Sequence, residues 1–204
     1  MFFMAWSSAV SALIGYLLGS SNMALYISKL KGIDLRQIGS KNLGTCNSII
    51  GFGFGWAALV FLHDAGKAAL AIILCRWLFP ENLIVGYVAG SAAVIGHVFP
   101  FYLHFRGGKG FAAYLGMMLF LNWRFALVSI LITAVLTLAT NYIVAGTVTT
   151  VVSYPAFTAL ASHSVSSVAV LCVATAVVIY RHHENFVRIA NGTEIGLINK
   201  KRDR

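Results

Sequence analysis

Three short polar stretches carry most of the side chains in this chain that could do chemistry. The most specific is 96–110, which reads GHVFPFYLHFRGGKG. His97 ends an apolar span, Phe99-Pro100-Phe101 and Arg106 follow, and Gly107-Gly108-Lys109-Gly110 opens the next apolar run. Glycines at the mouth of a helix let backbone N–H groups crowd an anion. The lysine adds a positive charge and the helix N-terminus adds its dipole, so the pattern suits a phosphate. The spacing is not that of a P-loop. The plain alternative is a basic loop resting on anionic lipid headgroups. Taken alone, His97 suits capping a span as well as it suits chemistry.

The first stretch, 29–47, holds Asp34, Arg36, Gly39-Ser40, Asn42, Gly44 and Asn47. Such fragments make tight backbone nests with hydroxyl and amide donors, although a solvated hairpin loop has the same composition. The third stretch begins Arg181-His182-His183-Glu184-Asn185 and continues through Arg188 to Gly192 and Glu194. His182, Asn185 and Arg188 follow one another at three-residue intervals, so they share a face if the last helix continues. A histidine, an amide and a guanidinium on one face suit a phosphate or a hydroxyl; a basic juxtamembrane helix end is the alternative. Adjacent histidines point to different faces, so no metal site is expected. Asp64 and Lys67, three apart within an apolar span, read as a self-neutralising pair or as substrate contacts.

The elements that position these residues are membrane helices. The chain of 204 residues is 59% hydrophobic and 10% charged, with a mean hydropathy of +0.82, whereas soluble domains carry about 25% charged residues. Apolar spans are expected at 1–27, 52–79, 83–98, 111–121, 125–140, 143–161 and 165–180, with Pro155 a kink or an end. The fourth is short for a crossing. An N-terminus without a basic leader reads as the first span rather than a cleaved signal. Three scattered cysteines suggest no disulfide framework. The formal net charge of +9 has its explanation in topology rather than in nucleic acid. With the C-terminus inside, the three polar stretches, including a basic tail at 181–204, collect twelve of the fifteen basic residues. The expectation is an all-α membrane protein of about seven transmembrane helices forming one domain over 1–204. Its N-terminus is outside, and all three polar stretches lie on the cytoplasmic face.

Taken together, the three stretches resemble the bacterial membrane glycerol-3-phosphate acyltransferases that use acyl phosphate as donor (the PlsY type). The motifs are Gly19-Ser20, Asp34-Leu35-Arg36, Gly39-Ser40-Lys41-Asn42-Leu43-Gly44 with Asn47, Asp64 with Lys67, and Gly96-His97 with Phe99-Pro100. They continue through Phe105 to Gly110, Arg181-His182, Asn185, Arg188, Gly192 and Glu194, so nearly the whole chain is covered. The resemblance implies seven helices in a bacterial cell membrane and a monomer without cofactor or metal. It implies attack of the sn-1 hydroxyl of glycerol 3-phosphate on an acyl phosphate, giving lysophosphatidic acid and phosphate. It makes Ser40, Lys109, His182 and Asn185 the catalytic set. Arg36, Gly39, Asn42, Gly44, Asn47, His97, Arg106, Gly107, Gly108, Gly110 and Arg188 would bind substrate and phosphate, and Glu194 would be structural. Either His182 or the donor's own phosphate would take the proton, and the acyl chain would lie between apolar helices. Three departures stand out. Thr45-Cys46-Asn47 replaces the family's Ala-Thr-Asn, and Ile50 stands where it has arginine; Ala113 also replaces a frequent threonine. An altered or inactive paralogue with another acceptor, or an anion or lipid transporter, are the competing readings.

Overall fold

The computed structural model describes residues 2–162 and 164–196, which are helical with no strand among them. The basic residues expected at 200–204 lie outside the described residues. The helices are α1 (Phe2–Ser20), α2 (Met23–Lys31), α3 (Thr45–Phe52), α4 (Phe54–Leu78), α5 (Val85–Val98), α6 (Phe111–Leu121), α7 (Trp123–Thr140), α8 (Ile143–Ser162), α9 (Val165–Arg181) and α10 (His183–Ala190). Five stretches are long and apolar enough to cross a membrane: Phe3–Lys31, Phe54–Leu78, Val85–Leu103, Trp123–Thr140 and Ile143–Ser162. Taken together, α9 and α10 form a sixth, bent by 41°. At 11 residues, α6 rises only about 16 Å, against a hydrocarbon core of about 30 Å.

Two differences from the sequence reading concern where helices break. The first span divides at Ser21-Asn22, where the Asn22 side chain accepts from the Leu25 N–H at 2.9 Å and starts α2 afresh. A further helix, α3, forms within and just beyond what reads as loop. Its first residues, Thr45 and Cys46, are poor helix formers, and the turn at Gly44 rather than propensity starts it.

Close backbone contact holds the bundle together. Gly15 and Gly19 of α1 face the Ala89 and Ala93 backbone of α5, and Gly96 faces Tyr16 and Ser20, with no room for a Cβ at any of the three. Lipid tails are as apolar as leucine, so membrane helices gain most from such close approach of small residues. Two phenols fasten the same pair of helices: Tyr16 Oη donates to the Phe99 carbonyl at 2.8 Å and Tyr102 Oη to the Ser20 carbonyl at 2.7 Å.

Pro155 neither ends α8 nor leaves an orphaned carbonyl. It has no N–H to give to Val151, four residues earlier. The freed Val151 carbonyl instead accepts from Thr175 Oγ1 of α9 at 2.8 Å and from Tyr114 Oη of α6 at 3.2 Å. All three residues are buried, and a buried acceptor without a partner costs about 1–3 kcal/mol. The double substitution Tyr114→Phe, Thr175→Val is therefore expected to destabilise the protein by about 1–3 kcal/mol. Each single change should cost less, because one donor remains. Thermal unfolding in detergent measures both.

Candidate active site

The three polar stretches meet at one cavity of about 750 Å³. Its polar end is lined by Ser40, Asn42, Lys109, His182, Asn185 and Glu194, with Asp64 and His97 alongside. An apolar arm continues between α7 and α8, where Ile130, Ala134 and Leu138 repeat at four-residue intervals on one face of α7. Gly44, Asn47 and Gly110 also contribute to the wall. Cys46 and Ile50 both line it, so the two departures of the first loop fall on the cavity itself.

Lys109 joins the second and third stretches. Its Nζ donates to Asn185 Oδ1 at 2.5 Å, and the Asn185 Nδ2 donates to Glu194 Oε1 at 2.5 Å. The other oxygen of Glu194 accepts from Arg188 Nε at 2.6 Å. Glu194 is thus the residue that clamps the third stretch, and its carboxylate fixes both the amide and the guanidinium. Burial disfavours the charged form of Lys109, and the Arg188 guanidinium adds to the effect, so its pKa is pushed down to about 8. The ammonium is present below that value and lost above it. Affinity for a phosphorylated substrate is therefore expected to fall as pH rises from 7 to 9. At pH 9, one unit above the pKa, KM should be about tenfold higher. A KM that stays flat from pH 7 to 9 would show that Lys109 does not hold the phosphate.

His182 sits at the bend between α9 and α10. The bend means that His182 and Asn185 do not ride on one continuous helix, yet both still reach the cavity. Its Nδ1 lies 2.8 Å from the Val178 carbonyl. A carbonyl can only accept, so Nδ1 carries the proton and Nε2 keeps its lone pair. No described residue takes up that lone pair, which makes Nε2 a ready proton acceptor.

Several expected ligands act differently from the sequence expectation. The N–H groups of Gly107 and Gly108 donate to the Val98 and His97 carbonyls at 3.0 and 3.2 Å. They close the end of α5 and are not open to an anion. The open amides lie one step further on: Phe111 and Ala112, in the first turn of α6, line the cavity and have no intrahelical acceptor. Gly110, at φ +91, turns the chain so that this helix end opens on the cavity.

Asn47 is buried, and its amide knots the first loop. Nδ2 donates to the carbonyls of Leu35 and Asn42, and Oδ1 accepts from the Ser40 N–H at 3.0 Å. It positions Ser40 and Asn42 rather than offering donors of its own. The exposed Arg36 forks onto Asp34. Arg36, Gly39, Arg106, Gly107, Gly108 and Arg188 do not line the cavity. Arg188 stands behind it, held by Glu194. Among the described residues no three His, Cys, Asp or Glu side chains converge as a metal site.

Residues 9–192 match the family model described as glycerol-3-phosphate acyltransferase. A glycerol-3-phosphate acyltransferase of Synechococcus sp. (strain CC9902) is 39% identical over 94% of this chain and 96% of that one. The corresponding protein of Coxiella burnetii (strain CbuG_Q212) is 36% identical over 91% and 95%. Among solved structures, PlsY (YgiH), an integral membrane glycerol 3-phosphate acyltransferase, superposes with a TM-score of 0.86 in its glycerol 3-phosphate form. The two are 33% identical, covering 94% of this chain and 96% of that one. The lysophosphatidic acid form gives a TM-score of 0.83 at 32% identity, covering 93% and 95%.

Proposed function

The chain belongs to the glycerol-3-phosphate acyltransferase family, and from that premise we propose how its residues carry out the transfer. It is a membrane enzyme of phospholipid synthesis. The proposed donor is an acyl phosphate and the acceptor is the sn-1 hydroxyl of glycerol 3-phosphate. The observation that carries this reading is one cavity lined both by polar residues of all three stretches and by apolar residues of α7.

An acyl phosphate is a mixed anhydride with a good leaving group, so no acyl-enzyme is needed. The acceptor oxygen attacks the carbonyl carbon, and the bond from that carbon to the bridging oxygen breaks. Phosphate leaves with the electron pair. The hydroxyl proton passes to His182 Nε2, or to the departing phosphate. Lys109, Ser40, Asn42 and the first turn of α6 hold phosphoryl oxygens, while Asn185 orients the hydroxyl. Holding the two substrates in contact supplies much of the rate, and fixed donors facing the developing charge supply more. The acyl chain lies in the arm along α7.

Seven crossings fit the same reading. Residues 29–47 and 97–110 share the cavity and are separated by α4 and α5, an even number of crossings. The third stretch shares it too, so an even number must also separate it from the second. With α7, α8 and α9 that requires α6 to count as a crossing despite its length. The N-terminus then lies outside and the cavity opens on the cytoplasmic face of a bacterial membrane. The chain forms one domain and acts as a monomer.

Purified protein in detergent, given acyl phosphate, is expected to release phosphate when glycerol 3-phosphate is added and not when glycerol is added. Release that ignores the acceptor, from folded protein, would remove the proposal. Transport is disfavoured, because the Asp64–Lys67 pair is satisfied within the bundle.

A further inference from the structure

Lys67 Nζ has three protons and three polar neighbours. It donates to the Ser21 carbonyl at the α1–α2 break at 2.7 Å and to Asp64 Oδ1 at 3.0 Å, and it lies 2.8 Å from His97 Nδ1. The three residues Lys67, Asp64 and His97 are almost completely buried. An ammonium has no lone pair, so at 2.8 Å His97 Nδ1 must be the acceptor. Asp64 Oδ1 also lies 3.4 Å from Nδ1, but a proton on Nδ1 would collide with the nearer ammonium. The histidine proton is therefore on Nε2. That atom lies on the far side of the ring, against Gly108, where no Cβ would fit. His97 lines the cavity, and among the described residues nothing accepts from Nε2.

We propose that Asp64 and Lys67 are positioning residues that lock His97 in the neutral, Nε2-protonated tautomer, so that it donates a hydrogen bond to a substrate oxygen in the cavity. Asp64 keeps the ammonium charged and aimed. The ammonium fills Nδ1, and Nε2–H becomes a fixed donor that needs no reorganisation when charge develops on the substrate. His97 and His182 then have opposite polarity. One presents a proton to the cavity and the other presents a lone pair. The oxygen that His97 meets is the acyl carbonyl oxygen or a phosphoryl oxygen.

The activity arm of the test rests on the acyltransferase reading, whereas the tautomer is read on substrate-free protein and stands apart from it. Protein labelled with ¹⁵N-histidine is observed in detergent, and the His97 signal is assigned by its absence in His97→Gln. Wild-type protein is expected to show one tautomer, with Nδ1 bare and Nε2 protonated; a protonated Nδ1 would overturn the proposal without any variant. The paired change Asp64→Asn, Lys67→Met removes both charges together and avoids leaving one buried alone. It should mix the tautomers and lower kcat/KM about 100-fold, and an unchanged single tautomer would refute the positioning role. In the acyltransfer assay His97→Gln, which keeps an N–H near the Nε2 position, should retain much of the activity that His97→Leu loses. Equal loss in both would refute the donor role. A loss carried by kcat assigns the acyl carbonyl as the partner, and one carried by the KM of either substrate assigns a phosphoryl oxygen.

Discussion

Replacing His182 with alanine is expected to lower kcat by about 10²–10⁴-fold, the range that a positioned general base contributes. The Nδ1–H is tied to the Val178 carbonyl at 2.8 Å, so the ring is oriented and its free lone pair faces the cavity. The effect should fall on kcat rather than on KM for glycerol 3-phosphate, because a proton acceptor acts only as the hydroxyl attacks. Steady-state kinetics on both substrates separates the two parameters. A loss smaller than tenfold would transfer the role to the departing phosphate of the donor.

Lys109→Met is the second large effect, with kcat/KM expected to drop about 10–10²-fold. A charge-assisted contact to phosphate is worth about 1.5–3 kcal/mol. The same substitution also frees Asn185 Oδ1, which otherwise accepts from Nζ at 2.5 Å, and so loosens the tie between the glycine loop and α10. Lys109→Arg should recover only part of the loss. Its charge is retained, but a planar fork replaces the point charge that fits against Asn185. Full recovery by arginine would mean that the charge alone matters and the Asn185 contact does not.

The polar chemistry of this molecule was legible because it is rare. In a chain so apolar, histidine, asparagine and lysine at Ser40–Asn47, His97–Gly110 and His182–Glu194 stand out, and charge asymmetry brings them to one face. What those residues do with their hydrogen bonds was not legible. Asn47 reads as a donor to substrate, yet its amide is fully engaged by Leu35, Asn42 and Ser40. Gly107 and Gly108 read as an anion nest, yet their N–H groups close the end of α5. Both depend on where distant carbonyls sit, which composition does not encode. Glu194 reads as structural, but its two partners, Asn185 and Arg188, become neighbours only when the segment after α10 folds back.

The apolar arm was hidden by the solvent. In water, a helix face turned to a cavity differs in polarity from a face turned outwards. In lipid both faces are apolar, and Ile130, Ala134 and Leu138 on α7 look like any lipid-facing residues. The usable signal was a polar trace on the same helix: Thr133 and Thr137 also line the cavity, and both are buried. The bend at His182 had no sequence mark, since neither proline nor glycine stands there.

The central claim is that the sn-1 hydroxyl attacks the carbonyl carbon of an acyl phosphate held in the same cavity. Its most direct test uses glycerol 3-phosphate carrying ¹⁸O in the sn-1 hydroxyl, purified protein and acyl phosphate, with products followed by mass spectrometry. The account predicts one lysophosphatidic acid, with the label in its ester linkage, for each unlabelled phosphate released. Absence of lysophosphatidic acid from folded protein, or label in a glycerol bisphosphate formed with release of the fatty acid, would contradict it.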